Sequence, residues 1–261
     1  MDYSVIVPAY NEEESIKPLY EEVRGVMDKM GGSWEMIFID DGSKDRTYEQ
    51  MRSLARGDKR VKVIRFRRNF GQTAAWSAGF DNASGDYVIV MDGDMQNDPK
   101  DIPAMLRKMK DDGLDVVSGW RKDRKDNGVL KLGSVIGNFI HRWVTAEKIH
   151  DHGCSLKVYK KEALEDLELY GEMHRYITAL MSWKGFKVGE MVVSHHPRKF
   201  GKSKYGWKRL FAGMFDLITT KFLITYTERP MHFFGTFGFV LSIAGLAFGV
   251  YLAVLKFMGF T

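Results

Sequence analysis

The sequence predicts an α/β domain with a mostly parallel sheet, followed by a helix long and apolar enough to cross a membrane. Within residues 1–200, short apolar runs alternate with segments of helical periodicity, which is typical of a parallel sheet with helices on both faces. From His232 to Leu255 no aspartate, glutamate, lysine or arginine occurs, and a helix of that length spans a ~30 Å hydrocarbon core.

The predicted strands and helices alternate along the chain. Each strand is a short apolar run, and the predicted strands are Ser4–Pro8, Glu35–Ile39, Val61–Phe66, Tyr87–Met91 and Val116–Ser118. The helices carry apolar residues at a spacing of three or four, as Ile16, Leu19 and Val23 do in the first. The predicted helices are Glu12–Met30, Asp45–Ala55, Thr73–Ala83 and Ile102–Lys110.

The composition narrows the class of protein. Of 261 residues, 44% are hydrophobic and 28% are charged, which is ordinary for a globular chain. The 39 lysines and arginines exceed the 34 acidic residues by only +5, too little to indicate a nucleic-acid binder. The single cysteine, Cys154, excludes a disulfide scaffold and fits a reducing compartment. No secretory signal peptide is visible at the N-terminus.

The composition changes along the chain and predicts three parts. They are an α/β domain, an amphipathic juxtamembrane helix and a transmembrane helix, at residues 1–204, 205–228 and 231–258. Apolar side chains from Trp207 to Phe222 recur on one helical face, although an ordinary surface helix would share this pattern. The basic cluster from Arg198 to Arg209 contains no acidic residue. Beside a membrane helix it marks the cytoplasmic side, with a solvated basic run as the alternative.

Two acidic clusters, Asp40-Asp41 and Asp92-Gly93-Asp94, follow predicted strands. Ligands of open α/β sheets bind beyond the carboxyl ends of the strands, where both clusters fall. Asp92 and Asp94 suit Mg²⁺, which prefers oxygen ligands and bridges carboxylates to substrate phosphates. Asp41 is placed to accept hydrogen bonds from a base or ribose, or to cap the following helix. Without G-x-G-x-x-G, a P-loop or H-E-x-x-H, a dehydrogenase, a P-loop NTPase and a zinc protease lose their main support.

Several motifs stand in a characteristic order: VIVPAYNEEESI, then IDDGSKDRT, then NFGQTAAWSAGFDNASGDYVIVMDGDMQNDP. In this order they resemble glycosyltransferase family 2, whose members have a GT-A fold. Three later segments resemble its polyprenyl-phosphate branch, which includes dolichol-phosphate mannose synthase and the bactoprenol glucosyltransferases: DHGCSLKVYKKEAL, LYGEMHRYI and HHPRKFGKSKYGWKRL. The resemblance implies a GT-A nucleotide-sugar-binding domain held at a membrane.

The resemblance also implies roles for individual residues. The positions matching the nucleotide site are Pro8, Tyr10, Asn11, Glu12, Asp40, Asp41 and Asp92. Those matching the metal site are Asp92, Asp94 and Gln96, with Mg²⁺ or Mn²⁺ as the cofactor. Those matching the acceptor-phosphate site are Arg121, Lys131, Arg198 and Lys204. The resemblance implies a catalytic role for Asp94, Arg121, Lys131 and Arg198. His174, Arg175 and Tyr176 match positions that contact the sugar or close the site.

The implied reaction is the inverting transfer of a sugar from a nucleotide-diphosphate sugar, of the UDP-glucose or GDP-mannose type, to dolichyl or undecaprenyl phosphate. A phosphate monoester is already largely ionised at pH 7, so a dedicated general base is not obligatory. The expected location is the cell membrane, or the endoplasmic reticulum membrane in a eukaryote, with the catalytic domain on the cytoplasmic side. No nucleic acid partner is expected, and a homo-oligomer is left open.

Two other function classes stay open at this point. A processive membrane polysaccharide synthase would carry Q-x-x-R-W, but Phe139 stands where the glutamine of that motif would precede Arg142-Trp143. A non-catalytic membrane-anchored nucleotide-sugar-binding module would not need its metal motif, whereas Asp92, Asp94 and Gln96 are all present.

Overall fold

The computed structural model describes residues 1–122, 149–165, 167–169, 171, 173–197 and 230–259. The chain divides into two compact units, Met1–Asp216 and Leu217–Thr261. Several sequence predictions lie outside the described residues: Arg142-Trp143, the helix at 205–228, and the site residues Lys131, Arg198 and Lys204.

Seven strands form one mixed sheet in the order β3-β2-β1-β4-β6-β5-β7. They are β1 (Tyr3–Ala9), β2 (Trp34–Asp40), β3 (Val61–Arg65), β4 (Tyr87–Val90), β5 (Val116–Trp120), β6 (Lys157–Lys160) and β7 (Val188–Val192). β1, β2, β3 and β4 run parallel, as do β5 and β7, whereas β6 runs antiparallel to β4 and β5. The prediction of a mostly parallel sheet is confirmed.

In the described part of the first unit, five helices accompany the sheet: α1 (Ile16–Met30), α2 (Thr47–Gly57), α3 (Gln72–Asn82), α4 (Ile102–Asp111) and α5 (Ile177–Trp183). Short 3₁₀ turns occur at Pro99–Asp101, Lys161–Leu164 and Met173–Arg175. The predicted strands and helices up to residue 120 are all present, with ends that differ by a few residues. The largest difference is at α1, which begins at Ile16 rather than at Glu12 because Glu12–Ser15 forms a turn.

The apolar core lies on both faces of the sheet because alternate residues of a strand point to opposite faces. On β1, Val5 and Val7 pack in one core cluster and Ile6 packs in the other, and all three are buried. Burial of such side chains stabilises the fold by about 1.5–3 kcal/mol each. Because side chains pack on both faces of the sheet, the strand ends have fixed positions, and so do the residues from which the following loops begin.

The second unit contains α6 (Pro230–Phe257), a helix of 28 residues. At 1.5 Å per residue it is about 42 Å long, which exceeds a hydrocarbon core of ~30 Å. Its segment Met231–Phe257 has a mean hydropathy of 2.2, and none of it is buried within the protein. This helix is therefore a candidate membrane span, as the sequence predicts.

Candidate active site

Parallel strands carry the two acidic clusters to one edge of the sheet. Asp40 is the last residue of β2, Asp92 follows β4 by two residues, and β1 lies between these strands. The carboxyl ends of all three strands meet at this edge, where open α/β sheets bind ligands. Because β6 is antiparallel, the residues that precede it, 151–156, reach the same edge.

The loop after β1 is tied to the loop after β2 by side-chain hydrogen bonds. The Asn11 amide donates to Ser43 Oγ at 3.0 Å, and Asn11 Oδ1 accepts from the Lys44 amide at 2.8 Å. The Glu12 amide donates to Thr47 Oγ1 at 2.8 Å. Asn11 adopts φ of +53°, a left-handed conformation that asparagine tolerates better than most residues. These bonds hold the predicted nucleotide loop, Pro8–Glu12, beside Asp40 and Asp41.

Backbone donors already engage the first acidic pair. Asp41 Oδ1 and Oδ2 accept from the amides of Phe70 and Gly71 at 2.7 and 2.9 Å. Asp40 Oδ1 accepts from the Ser43 amide at 2.9 Å, and its Oδ2 lies 3.4 Å from Arg65 Nε. Burial raises the pKa of Asp41, and these amides oppose that rise. Asp41 therefore anchors the residues that begin α3, rather than the helix that follows it in sequence.

A cavity of about 330 Å³ adjoins this acidic pair. Its lining residues are Gly42, Ser43, Arg65, Phe66 and Arg67. Gly42 has φ of +72°, and a Cβ there would lie 2.4 Å from the carbonyl carbon of Arg68, so no other residue fits without backbone movement. The close approach of the 66–69 loop closes one side of the cavity.

The second acidic pair, Asp92 and Asp94, also accepts hydrogen bonds from neighbouring residues. Asp92 Oδ1 accepts from Gln72 Nε2 at 2.7 Å, and Asp94 Oδ1 accepts from the Gln96 amide at 3.1 Å. Burial and, next, the charge of Asp94 raise the pKa of Asp92 to about 6. The carboxylate of Asp94 thus lies close enough to disfavour ionisation of Asp92.

The turn after Asp94 is held by the chain that follows β7. Met95 is buried with φ of +61°, an uncommon conformation for a residue without a short polar side chain. The His196 amide donates to the Gln96 carbonyl at 2.9 Å, and Gln96 Nε2 donates to the His196 carbonyl at 3.4 Å. A further contact joins His196 Nε2 to Asp98 Oδ2 at 3.2 Å. These contacts fix Gln96 beside Asp94.

The donor set fits a hard divalent cation. Asp92, Asp94 and Gln96 offer carboxylate and amide oxygens. Burial and, next, the charge of Asp94 disfavour the ionised form of Asp92, and a bound cation would offset that penalty. In the part of the chain that the structure describes, no three histidine, cysteine or acidic side chains converge as a complete metal site. Mg²⁺ does not require one, because one or two carboxylates plus substrate phosphates complete its shell.

Arg121 lies at the same edge, where β5 ends, and forms a fork with Asp151. Its Nε and Nη2 donate to the two carboxylate oxygens of Asp151 at 2.7 and 2.9 Å. Burial disfavours the charged guanidinium, but the hydrogen bonds that Arg121 donates to Asp151 outweigh it and raise the pKa of Arg121. The guanidinium is therefore a fixed, charge-balanced group rather than a free surface cation.

The segment with the residues predicted to contact the sugar or close the site, His174, Arg175 and Tyr176, lies beside α3. His174 and Tyr176 are buried, and His174 Nδ1 is 2.7 Å from Thr73 Oγ1. The His174 ring also meets the edge of the Trp76 ring at 5.7 Å. Arg175 is partly exposed between them. The segment thus supports the start of α3, the helix that carries Gln72.

Sequence reasoning missed four polar residues that shape this edge: Gln72, Asp151, Ser155 and Lys157. Asp151 orients Arg121, and Gln72 contacts Asp92. The motif DHGCSLKVYK contains three of the four, Asp151, Ser155 and Lys157, but the sequence pattern does not predict β6 and so assigns them no individual roles. An apolar pair, Val158 and Tyr159, between two lysines gives little strand signal.

Comparison with known proteins gives a consistent result. Residues 4–168 match the model of the family "Glycosyl transferase family 2". A dodecaprenyl-phosphate galacturonate synthase from Rhizobium johnstonii is 42% identical, over 99% of this chain and 78% of that protein. An undecaprenyl-phosphate 4-deoxy-4-formamido-L-arabinose transferase from Salmonella paratyphi A is 35% identical, over 97% of this chain and 76% of that protein.

Two solved structures share the fold. Glucosyl-3-phosphoglycerate synthase from Mycobacterium tuberculosis, in complex with Mn²⁺, UDP and phosphoglyceric acid, aligns with a TM-score of 0.62 at 20% identity, over 85% of this chain and 78% of that one. A mannosyltransferase from Pyrobaculum calidifontis, with GDP-Man and Mn²⁺, aligns with a TM-score of 0.55 at 19% identity, over 97% and 80%. The GT-A fold is thus confirmed, and the chain belongs to glycosyltransferase family 2.

Proposed function

We propose that this chain transfers a sugar from a nucleotide-diphosphate sugar to a polyprenyl phosphate, with inversion at the anomeric carbon. The observation that carries the proposal is the Asp92–Asp94 pair at the sheet edge, with the Arg121–Asp151 fork at the same edge. The first feature suits a diphosphate leaving group and the second a phosphate acceptor. Both bacterial relatives are named for polyprenyl-phosphate sugar chemistry, which supports this pairing of substrates.

The donor nucleotide is assigned to the side of the site formed by the loops after β1 and β2. The roughly 330 Å³ cavity is of the size of a small ligand pocket, and its lining residues Gly42 and Ser43 directly follow the buried pair Asp40 and Asp41. The bonds between Asn11, Ser43 and Lys44 hold this side in one shape. Pro8, Tyr10, Asn11 and Glu12 are assigned to the base and ribose. A UDP-sugar and a GDP-sugar are both donors to test.

Asp92, Asp94 and Gln96 are assigned to hold Mg²⁺ or Mn²⁺ together with the donor diphosphate. When bound, such a cation neutralises the charge that develops on the diphosphate leaving group. The chain's own part is to present the carboxylate oxygens of Asp92 and Asp94 at the sheet edge. Gln72 orients Asp92 from one side, and the Gln96 amide orients Asp94 from the other.

Arg121 is assigned to the acceptor phosphate, as are Lys131, Arg198 and Lys204 from their sequence positions. An ionised phosphate is itself the nucleophile, so these residues are needed to orient it for in-line attack. Asp151 offsets part of the charge of Arg121, so Arg121 orients the phosphate without drawing excess electron density from the attacking oxygen. His174, Arg175 and Tyr176 are assigned to the sugar side, where His174 supports the start of α3.

We assign residues 1–204 to catalysis, residues 205–228 to the membrane surface and residues 231–258 to the span. The apolar surface of α6 supports this anchor, and the basic residues from Arg198 onward favour the cytoplasmic side for the catalytic part. A chain ended at Thr227 is expected to leave the membrane fraction more readily than the full chain. Labelling of Cys154 in intact cells only by external reagents would contradict the orientation.

A donor panel tests the reaction itself. UDP-sugars and GDP-sugars are supplied in turn to the full chain in detergent, together with Mn²⁺ and undecaprenyl or dolichyl phosphate. The mass of the lipid product is then measured by mass spectrometry. We expect one hexose or uronic-acid unit per lipid phosphate. Products with several sugars would indicate a processive synthase instead. Donor binding without lipid product or donor hydrolysis would indicate a binding module.

A further inference from the structure

One lysine lies inside the protein, close to the candidate active site. Lys157 on β6 is 1% exposed, and its ammonium group donates to the backbone carbonyls of His152, at 3.3 Å, and Cys154. The ammonium also lies 5.6 Å from the centre of the Trp76 ring. A charged group is expensive to bury unless it is hydrogen-bonded, so this one is committed to the carbonyls it meets.

The position of Lys157 in the sheet places it between the two halves of the proposed site. It is opposite Val90 of β4 on one side and Ser118 of β5 on the other. β4 leads to Asp92 and β5 leads to Arg121. Because β6 is antiparallel, the turn that Lys157 binds lies at the sheet edge between these two residues.

That turn, residues 151–155, contacts both halves. Both carboxylate oxygens of Asp151 accept hydrogen bonds from the guanidinium of Arg121. Asn97 Oδ1 accepts a hydrogen bond from Ser155 Oγ at 2.9 Å and another from the backbone amide of Asp92 at 3.2 Å. The turn is thus a bridge from the group assigned to the acceptor phosphate to the group assigned to the metal, and Lys157 binds its middle.

We propose that Lys157 is a positioning residue for the transfer reaction: by holding turn 151–155 it sets the distance between the metal-side carboxylate and the acceptor-side guanidinium. This inference rests on the proposed function. Lys157 itself touches neither substrate in this role. It acts through Asp151 and Ser155, and a displacement of about 1 Å in such a site costs on the order of 100-fold in rate.

A matched pair of variants separates positioning from simple stability. Lys157→Met removes the ammonium and retains an unbranched side chain of similar reach. Lys62→Met removes another ammonium from a buried acceptor, since Lys62 Nζ lies 2.6 Å from Glu35 Oε2, and Glu35 is 2% exposed. The Lys62 pair joins β2 and β3 away from the proposed substrate groups, so its loss lowers stability without altering the site.

The first readout is the reactivity of Cys154, the chain's single cysteine, which is fully buried in the turn. In full-length protein below its melting temperature, labelling by a thiol reagent should be at least about tenfold faster in Lys157→Met than in wild type, because the turn opens locally. Lys62→Met should label like wild type. Burial raises the pKa of the Cys154 thiol and the charge of Lys157 opposes that rise, so loss of the charge alone would slow labelling. Equal or slower labelling in Lys157→Met overturns the proposal.

The second readout is kinetic. For Lys157→Met we expect kcat/KM for the lipid phosphate to fall by about 10- to 100-fold, with the Kd of the donor nucleotide within about twofold of wild type. Combined with Asp151→Asn, the loss should be much smaller than the product of the two single losses, since both act through one turn. Fully multiplicative losses would overturn the proposal. A similar fall in Lys62→Met would do the same.

If Lys157→Met does not fold, Ser155→Ala tests the same turn by releasing it from Asn97. Cys154 labelling must then accelerate and kcat/KM must fall, and unchanged values overturn the proposal. Failure of the proposed function is distinguishable, because it would appear as absence of lipid product from the wild-type chain. The labelling comparison gives its answer without any turnover.

Discussion

Two acidic pairs occupy neighbouring strand ends at the same edge of the sheet, yet the chain treats them differently. Asp40 and Asp41 accept three backbone N–H groups, and Asp40 also lies near Arg65. Asp92 accepts from the side-chain amide of Gln72, and Asp94 accepts from the backbone amide of Gln96. Lys157 and Arg121 are near enough to Asp92 to influence its ionisation, but both are committed elsewhere.

The difference teaches that position at a strand end does not by itself assign a role to a carboxylate. The first pair builds the site, because Asp41 anchors the residues before α3 and the first residue of α3, Gln72, then reaches Asp92. In the second pair, burial and, next, the charge of Asp94 disfavour the ionised form of Asp92. We infer that Asp40 and Asp41 shape the donor pocket and that Asp92 and Asp94 bind a cation.

The largest expected effect is that of Asp94→Asn. We expect kcat with lipid phosphate to fall by about 100-fold or more, because a charged oxygen assigned to the cation is lost. Stability should be unchanged or increased, because repulsion with Asp92 is relieved. Turnover measured beside thermal unfolding of the metal-free protein checks both parts.

Metal binding provides the control for this variant. Mn²⁺ with a nucleoside diphosphate should raise the melting temperature of the wild type and raise that of Asp94→Asn much less. Full activity of the wild type in excess EDTA would contradict the role assigned to the second pair. So would equal stabilisation of both proteins by Mn²⁺.

Asp41→Asn should lower stability and donor binding, whereas Asp94→Asn should lower turnover without lowering stability. An asparagine can accept from only one of the Phe70 and Gly71 amides through its single carbonyl oxygen, and its NH₂ group faces the other. A buried donor left unsatisfied costs about 1–3 kcal/mol, so we expect a fall in unfolding free energy of that order and weaker binding of the donor nucleotide. Urea unfolding and calorimetric titration with UDP or GDP measure the two effects. A variant as stable as wild type would show that Asp41 is not the anchor of α3.

Gln72→Leu tests the link between the pairs. The substitution removes the 2.7 Å bond to Asp92 while retaining a helix-forming side chain of similar size. We expect about a tenfold fall in kcat/KM and a weaker apparent affinity for Mn²⁺, with little change in stability. The matched control is Gln50→Leu, at a partly exposed position of α2, which should behave as wild type. If both variants behave alike, the two pairs are independent.

Most of the framework could be predicted from the sequence because its signals are local. β1 and β4 are apolar runs, and α1 and α4 have one apolar face. Both acidic pairs were predicted as site residues because parallel topology forces the carboxyl ends of their strands together. Local pattern and topology were sufficient for this much.

The region after Trp120 was not predictable in the same way. β6 begins with Lys157, and a lysine that is buried in the centre of a sheet gives the pattern of an exposed residue. α5 has seven residues, too few for a clear helical period, and β7 is only partly buried. The partners of Arg121 and Asp92 depend on where β6 enters the sheet, which no local pattern specifies.

Asp58 extends the comparison to a carboxylate whose charge the chain balances itself. Arg60 Nη2 and Nε lie 2.7 and 3.0 Å from its oxygens, and Tyr20 Oη donates to it at 2.7 Å. The hydrogen bonds from Arg60 hold the pKa of Asp58 well below its usual range. A carboxyl whose pKa is lower in the folded state stabilises the fold above its unfolded pKa of about 4, and that contribution is lost as pH falls toward the folded value.

Asp58→Asn should therefore lower the unfolding free energy at pH 7 by a small amount, about 0.5–1 kcal/mol, because the partly exposed ion pair is screened by solvent. The difference between variant and wild type should shrink as the pH is lowered from about 4 to 3, since the wild type then loses the same contribution. Urea unfolding at pH 7, 4 and 3 measures it, and activity at pH 7 should be unaffected. A difference that stays constant with pH would show that Asp58 acts through hydrogen-bond geometry rather than charge. In that case the comparison between carboxylates would rest on the two pairs at the sheet edge alone.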